Sequence, residues 1–178
     1  MKRIVQAAIG IVVLCCAASI SPAETVKITV EYKCPAGVPS VVTVNAPGGQ
    51  VVARNDKCTV SGLSIRGVAA TNDNMVASGF IVPSPLTWNA HGYEVGYLAN
   101  NDMYLASWEE NGSQSGSKVS LKYTSGTGVA QGIKGKLDLV CQPASAGFVN
   151  CKGEGYYSLP PAAASNGNPP KSKPAAGK

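Results

Sequence analysis

Val26-Lys27-Ile28-Thr29-Val30-Glu31-Tyr32 alternates apolar and polar side chains without a break. Successive side chains of an extended chain point to opposite sides, so Val26, Ile28, Val30 and Tyr32 share one face and Lys27, Thr29 and Glu31 the other. A strand with one dry and one wet side belongs to an antiparallel sheet. The same signal recurs outward from this stretch, in short β-type runs at 40–44, 51–53, 59–65, 75–82, 93–99, 118–123, 133–141 and 148–156. Clusters of Gly, Asn, Asp, Ser and Pro separate them, and Pro47-Gly48-Gly49 is placed to turn a hairpin. The pattern predicts an all-β domain, an antiparallel sandwich or barrel. With 20 Gly and 12 Pro the chain disfavours a helical bundle, and with 44% hydrophobic residues it is too apolar for a disordered one.

One stretch supports two readings. Residues 101–111 contain neither Gly nor Pro, begin with Asn101 as a cap, and space Tyr104, Leu105 and Trp108 as a short helix would. The same residues alternate, with Met103 and Leu105 on one side and Tyr104, Ala106 and Trp108 on the other. A strand is the preferred expectation, because so short a helix is marginal alone and its surroundings are β. Asn100-Asn101-Asp102 would then turn a hairpin.

The termini read differently from the middle. Lys2 and Arg3 precede an apolar run from Ile4 to Ile20, and Ser21-Pro22-Ala23 follows with small residues where a signal peptidase cuts. Residues 1–23 are therefore expected to be a short signal peptide of bacterial type that leaves no stable membrane anchor, with the product periplasmic or secreted. A β domain is expected over 24–158. Beyond it the chain turns to Pro, Ala, Asn and Lys with no large apolar residue, which predicts a disordered tail over 159–178.

Of the six cysteines, Cys15 and Cys16 lie in the leader, leaving Cys34, Cys58, Cys141 and Cys151. An even number in an exported chain implies disulfides. Four cysteines permit three pairings, and nearness in sequence favours Cys34 with Cys58 and Cys141 with Cys151. Each would restrict the unfolded chain by about 3 kcal/mol.

Charge and motif inventory remove several functions. All ten Asp and Glu lie in 24–158 and are balanced there by Lys and Arg, while the surplus cations Lys171, Lys173 and Lys178 are in the tail. A neutral body lacks the basic face of a nucleic-acid-binding domain. His91 is the single histidine, and no HExxH, CxxC or G-x-S-x-G motif is present, so neither a metal, another cofactor nor a serine hydrolase is expected. His91 itself is expected in a turn or on the surface. Asn72-Asp73-Asn74 and Asn100-Asn101-Asp102 lack the spaced acids of a calcium loop and read as turns. Glu109 and Glu110 are adjacent and would face opposite ways on a strand, so a glycosidase would have to recruit Glu94 or Asp138.

The aromatics are concentrated: Phe80, Trp88, Tyr93, Tyr97, Tyr104 and Trp108 all fall within 80–108. Such residues pair across strands in a core, or else form an exposed platform for a sugar ring or a protein. Trp88, Tyr93, Tyr97, Tyr104 and Trp108 are the candidate binding residues. A second candidate, Ser125-Gly126-Thr127-Gly128, comes from a resemblance. Together with Tyr32-Lys33-Cys34, Gly37 and Val41-Val42-x-Val44, it resembles the membrane-bound and periplasmic C-type lysozyme inhibitors. Those are small disulfide-bonded β-barrels, and the resemblance implies that Ser125 to Gly128 form an inhibitory loop. The aromatic segment that follows this loop in the family precedes it here, and this chain is longer.

The reading that results is an exported, non-catalytic binding module whose partner is another envelope or secreted protein, or a glycan. An inhibitor of a secreted enzyme and a small carbohydrate-active enzyme are the alternatives.

Overall fold

The structure, a computed structural model, describes residues 23–35, 43–144 and 147–161. Residues 1–22 of the expected leader and 162–178 of the expected tail lie outside the described residues, as do residues 40–42 of the second expected strand. Ten strands follow in order: β1 (Glu24–Pro35), β2 (Thr43–Ala46), β3 (Gly49–Ser61), β4 (Ser64–Ile65), β5 (Val68–Pro83), β6 (Leu86–Leu98), β7 (Met103–Ser113), β8 (Gly116–Gly126), β9 (Lys134–Ala144) and β10 (Phe148–Leu159). The last runs one residue past the expected domain boundary, and Leu159 is buried against β1.

Neighbours pair in the order β3, β1, β10, β9, β8, β7, β6, β5, and β5 pairs back onto β3 from Gln50↔Ile81 to Thr59↔Asn72. The sheet is therefore a closed antiparallel barrel of eight strands, not a sandwich. Closure leaves these strands without free edges. β2 extends β3 through the expected Pro47-Gly48 hairpin, and β4 folds back on β5.

Alternation decides the inside. Val26, Ile28, Val30 and Tyr32 face the interior as expected, joined by Leu137 and Leu139 of β9 and Val119, Leu121 and Tyr123 of β8. Residues 101–111 resolve as a tight turn, with Asn101 at a φ of 67°, running into β7. Inward glycines make room for rings: a Cβ on Gly96 would stand 1.9 Å from the Tyr104 ring, and one on Gly112 would stand 2.1 Å from the Trp88 indole. Both expected disulfides form, Cys34–Cys58 between β1 and β3 and Cys141–Cys151 directly across the β9–β10 ladder. Disulfides persist in oxidising surroundings, which points to a location outside the cytoplasm.

Three polar clusters read as separators are instead strand interior. Arg54 to Lys57 continues β3, Asn72 to Asn74 lies in β5, and Asn89 to Gly92, with His91, lies in β6. The reason is on the inner face: Arg54, Asp56 and Asp73 point into the barrel, where polar partners receive them.

Candidate functional site

The barrel has two unlike ends. At the end holding the start of β1 and the close of β10, the longer connections fold over the opening and bury Leu63, Ile65, Leu98, Ala130, Ile133 and Leu159, none more than 2% exposed. At the other end β5–β6 and β7–β8 turn tightly at Ser84-Pro85 and Gln114-Ser115, too short to reach across. A cavity of about 300 Å3 lies there, lined by residues of every barrel strand.

Its walls combine three kinds of surface. Trp88 of β6 and Trp108 of β7 contribute indoles, and Met75, Val119 and Val149 contribute aliphatic area. The two disulfides close one flank. Arg54 of β3 sets its Nε 2.9 Å from Asp56 Oδ2 and its Nη2 3.1 Å from Glu110 Oε2. Its guanidinium carbon lies 5.9 Å from the centre of the Trp108 ring, within cation–π range. Glu110 also accepts a hydrogen bond from Ser117 Oγ at 2.6 Å. Burial pushes the Asp56 carboxyl up against the opposing pull of Arg54.

One inward step below Met75 lies a second polar group. Asp73 Oδ1 accepts from the Cys58 amide at 3.2 Å, and Glu94 Oε1 accepts from Tyr32 Oη at 3.1 Å. Tyr104 and Tyr123 stack edge to face beside them with ring centres 5.6 Å apart. Burial, offset in part by the Cys58 amide, pushes Asp73 up to about 7. It raises Glu94 too, with the charge of Asp73 adding to the effect. Near neutral pH the pair therefore holds a proton. Asp73 Oδ2, Glu94 Oε2 and the Tyr104 and Tyr123 hydroxyls have no hydrogen-bond partner among the described residues.

The aromatic candidates do not share a surface. Trp88 and Trp108 line the cavity and Tyr104 lies deeper in the lumen. Tyr93 is on the outer face and 71% exposed, and Tyr97 is outward and half-buried. Ser125, Gly126, Thr127 and Gly128 sit at the opposite end of the barrel. Asp102 and Thr127 pin them: Val129 N donates to Asp102 Oδ2 at 2.9 Å and Met103 N to Thr127 Oγ1 at 2.9 Å. Ser125, Thr127 and Gly128 remain exposed. Phe80 is partly buried near the β5–β6 turn.

The catalytic candidates disperse as well. Glu94 is inside, while Glu109 and Asp138 are on the outer face of different strands, so these carboxylates flank no common cleft. Ser78, His91 and Glu109 form a row across β5, β6 and β7, with Ser78 Oγ 3.3 Å from His91 Nε2. All three are exposed on a regular ladder whose backbone N–H groups pair between strands, which leaves no donors for an oxyanion. Arg54 and Asp56 are not among the sequence-based candidates, and Glu110 and Asp73 enter them only as a glycosidase carboxylate and as part of a turn-like calcium cluster. The available signal was alternation, since Val52, Arg54, Asp56, Cys58 and Val60 occupy every second position.

No family model matches the chain, and no curated protein matches it. Among solved structures it is similar to the pterocarpan synthase dirigent protein, at 12% identity and a TM-score of 0.46, over 89% of this chain and 96% of that one.

Proposed function

We propose that this chain is an exported, non-catalytic binding barrel, acting in the periplasm or outside the cell, that takes its ligand at the lumen mouth. One observation carries the reading: all barrel strands contribute to a formed cavity that sets two indoles beside a compact charged group. Barrel mouths that combine mostly apolar walls with a few placed polar groups are recurrent ligand sites. The occupant is a small molecule, or a terminal group of a glycan or of another envelope or secreted protein. Incubating the oxidised chain with a native envelope extract and identifying what co-elutes tests this directly. Material retained by the unmodified chain and lost on Trp88→Ala is the expected outcome, whereas equal retention by both would remove the mouth as the site.

The exposed, pinned segment from Ser125 to Gly128, which is the end of β8 and the turn after it and not a free loop, favours a second reading, an inhibitor of a secreted enzyme, because a segment already held in place enters a cleft at little entropic cost. Slowed lysozyme turnover at micromolar protein, relieved by replacing Thr127, is the expected result of that reading. Unchanged turnover would exclude it.

A further inference from the structure

The charges of the chain are sorted between the two sides of the sheet. Of the ten Asp and Glu, four point inward: Asp56 and Glu110 at the mouth, Asp73 and Glu94 below them. Arg54 is the one inward cation among the described residues, and Lys27, Lys33, Lys57, Arg66, Lys118, Lys122, Lys134, Lys136 and Lys152 are all exposed. The lumen thus carries more acid than base, and its field favours positive charge.

The mouth already shows how it would hold a cation. A guanidinium sits between two carboxylates and near an indole, with Ser117 fixing the deeper carboxylate. The two acids are the firmly placed members, with side chains 19% and 7% exposed for Asp56 and Glu110. Arg54 is 34% exposed on a long flexible stem. It is the member that can swing toward solvent, and Ser117 keeps Glu110 hydrogen-bonded when it does.

Resting on the lumen reading above, we propose that the mouth binds a small organic cation: an ammonium or amidinium group on a short arm from one flat ring. The charged group lies against Asp56 and Glu110, displacing or sharing the place of Arg54, and the ring lies against Trp88. At about 300 Å3 the cavity is at the small end of ligand sites, which limits the body to about one ring. An anion would meet Asp56 and Glu110 with only a guanidinium that both already engage.

Tyramine, 4-propylphenol and 3-(4-hydroxyphenyl)propionate share ring and arm and differ in charge, so calorimetric titration of the oxidised chain with each separates charge from shape. Tyramine is expected to bind at least tenfold tighter than the phenol, and the propionate to show no binding. Glu110→Gln is expected to weaken tyramine at least tenfold, and Arg54→Met to tighten it, an increase that mere damage to the fold would not produce. If Arg54→Met does not fold, Arg54→Lys, a poorer partner for two carboxylates, gives a smaller change in the same direction. Equal or tighter binding of the phenol or the propionate, lost on Trp88→Ala, would overturn the cation and leave the lumen as the site. Silence from all three, with the indole N–H resonances of Trp88 and Trp108 unmoved, would overturn both.

Discussion

The two ends of the barrel are built from the same strands yet solve opposite problems. At one end the connections after β3 and β8 are long enough to fold inward, and Leu63, Ile65, Ala130 and Ile133 fill the lumen with aliphatic side chains. At the other, among the described residues, the tight turns bring no side chain across, and indoles, thioether and ion pairs line a cavity. An eight-stranded barrel is just wide enough for its own side chains to fill. Whether it becomes a solid core or a site is therefore decided by what its connections deliver. One end holds the molecule together and the other is free to be polar.

The largest effect expected from this contrast is on stability. Ile65→Ala removes a wholly buried side chain from the closed end and should cost roughly 2–5 kcal/mol in urea denaturation, while Val149→Ala at the mouth should cost under about 1.5 kcal/mol. Equal costs would mean that the mouth is packed like the plug. The disulfides come next. Replacing Cys34 and Cys58 together opens a link spanning 24 residues, and replacing Cys141 and Cys151 opens one spanning 10, so each pair should lose about 3 kcal/mol, the first slightly more. A much larger loss from the Cys141 pair would show that the mouth depends on its staple.

A pH experiment probes the level between the two ends. Asp73 titrates near its ordinary 3.8 when unfolded and at about 7 in the barrel, so the folded protein keeps a proton that the unfolded chain releases. The stability this contributes is fully present below about pH 4 and is lost as pH rises through about 7. Asp73→Asn keeps an acceptor for the Cys58 amide, and should flatten that slope and raise stability at pH 8 by on the order of 1–4 kcal/mol relative to the parent. A slope that survives the substitution would assign it to the other raised carboxyls, Glu94 and Asp56. The smallest effect belongs outside the barrel. His91→Ala should change stability by less than about 0.5 kcal/mol, read from the same urea curves, because His91 is exposed and its contact to Ser78 is long. A larger loss would mean that the outer Ser78–His91 contact supports the sheet.

Much of the fold was legible because its clearest strands obey one local rule. The alternation in Val26 to Tyr32, the cysteines flanking the last hairpin, and the Asn100-Asn101-Asp102 turn each report on neighbours in sequence, and each has the role its residues imply. What went unread is equally specific. Arg54-Asn55-Asp56-Lys57 and Asn72-Asp73-Asn74 are turn-forming by composition and strand by location, because Asp73 accepts from the Cys58 amide of β3 and Arg54 finds Glu110 on β7. Partners more than 50 residues away, as Glu110 is from Arg54, leave no trace in local composition. The candidate site was half-legible for the same reason. Trp88 and Trp108 stood out as aromatics, but that they face one cavity while Tyr93 faces solvent depends on register.

By itself the sequence determined the β class, the pairing of faces along its regular strands and the favoured pairing of the cysteines, since backbone alternation, turn chemistry and proximity are local. Closure into a barrel, the filling of one end and the gathering of Arg54, Asp56 and Glu110 with two indoles at the other were decided by tertiary structure alone. They follow from which strands become neighbours, and hydrophobic alternation specifies faces without naming neighbours.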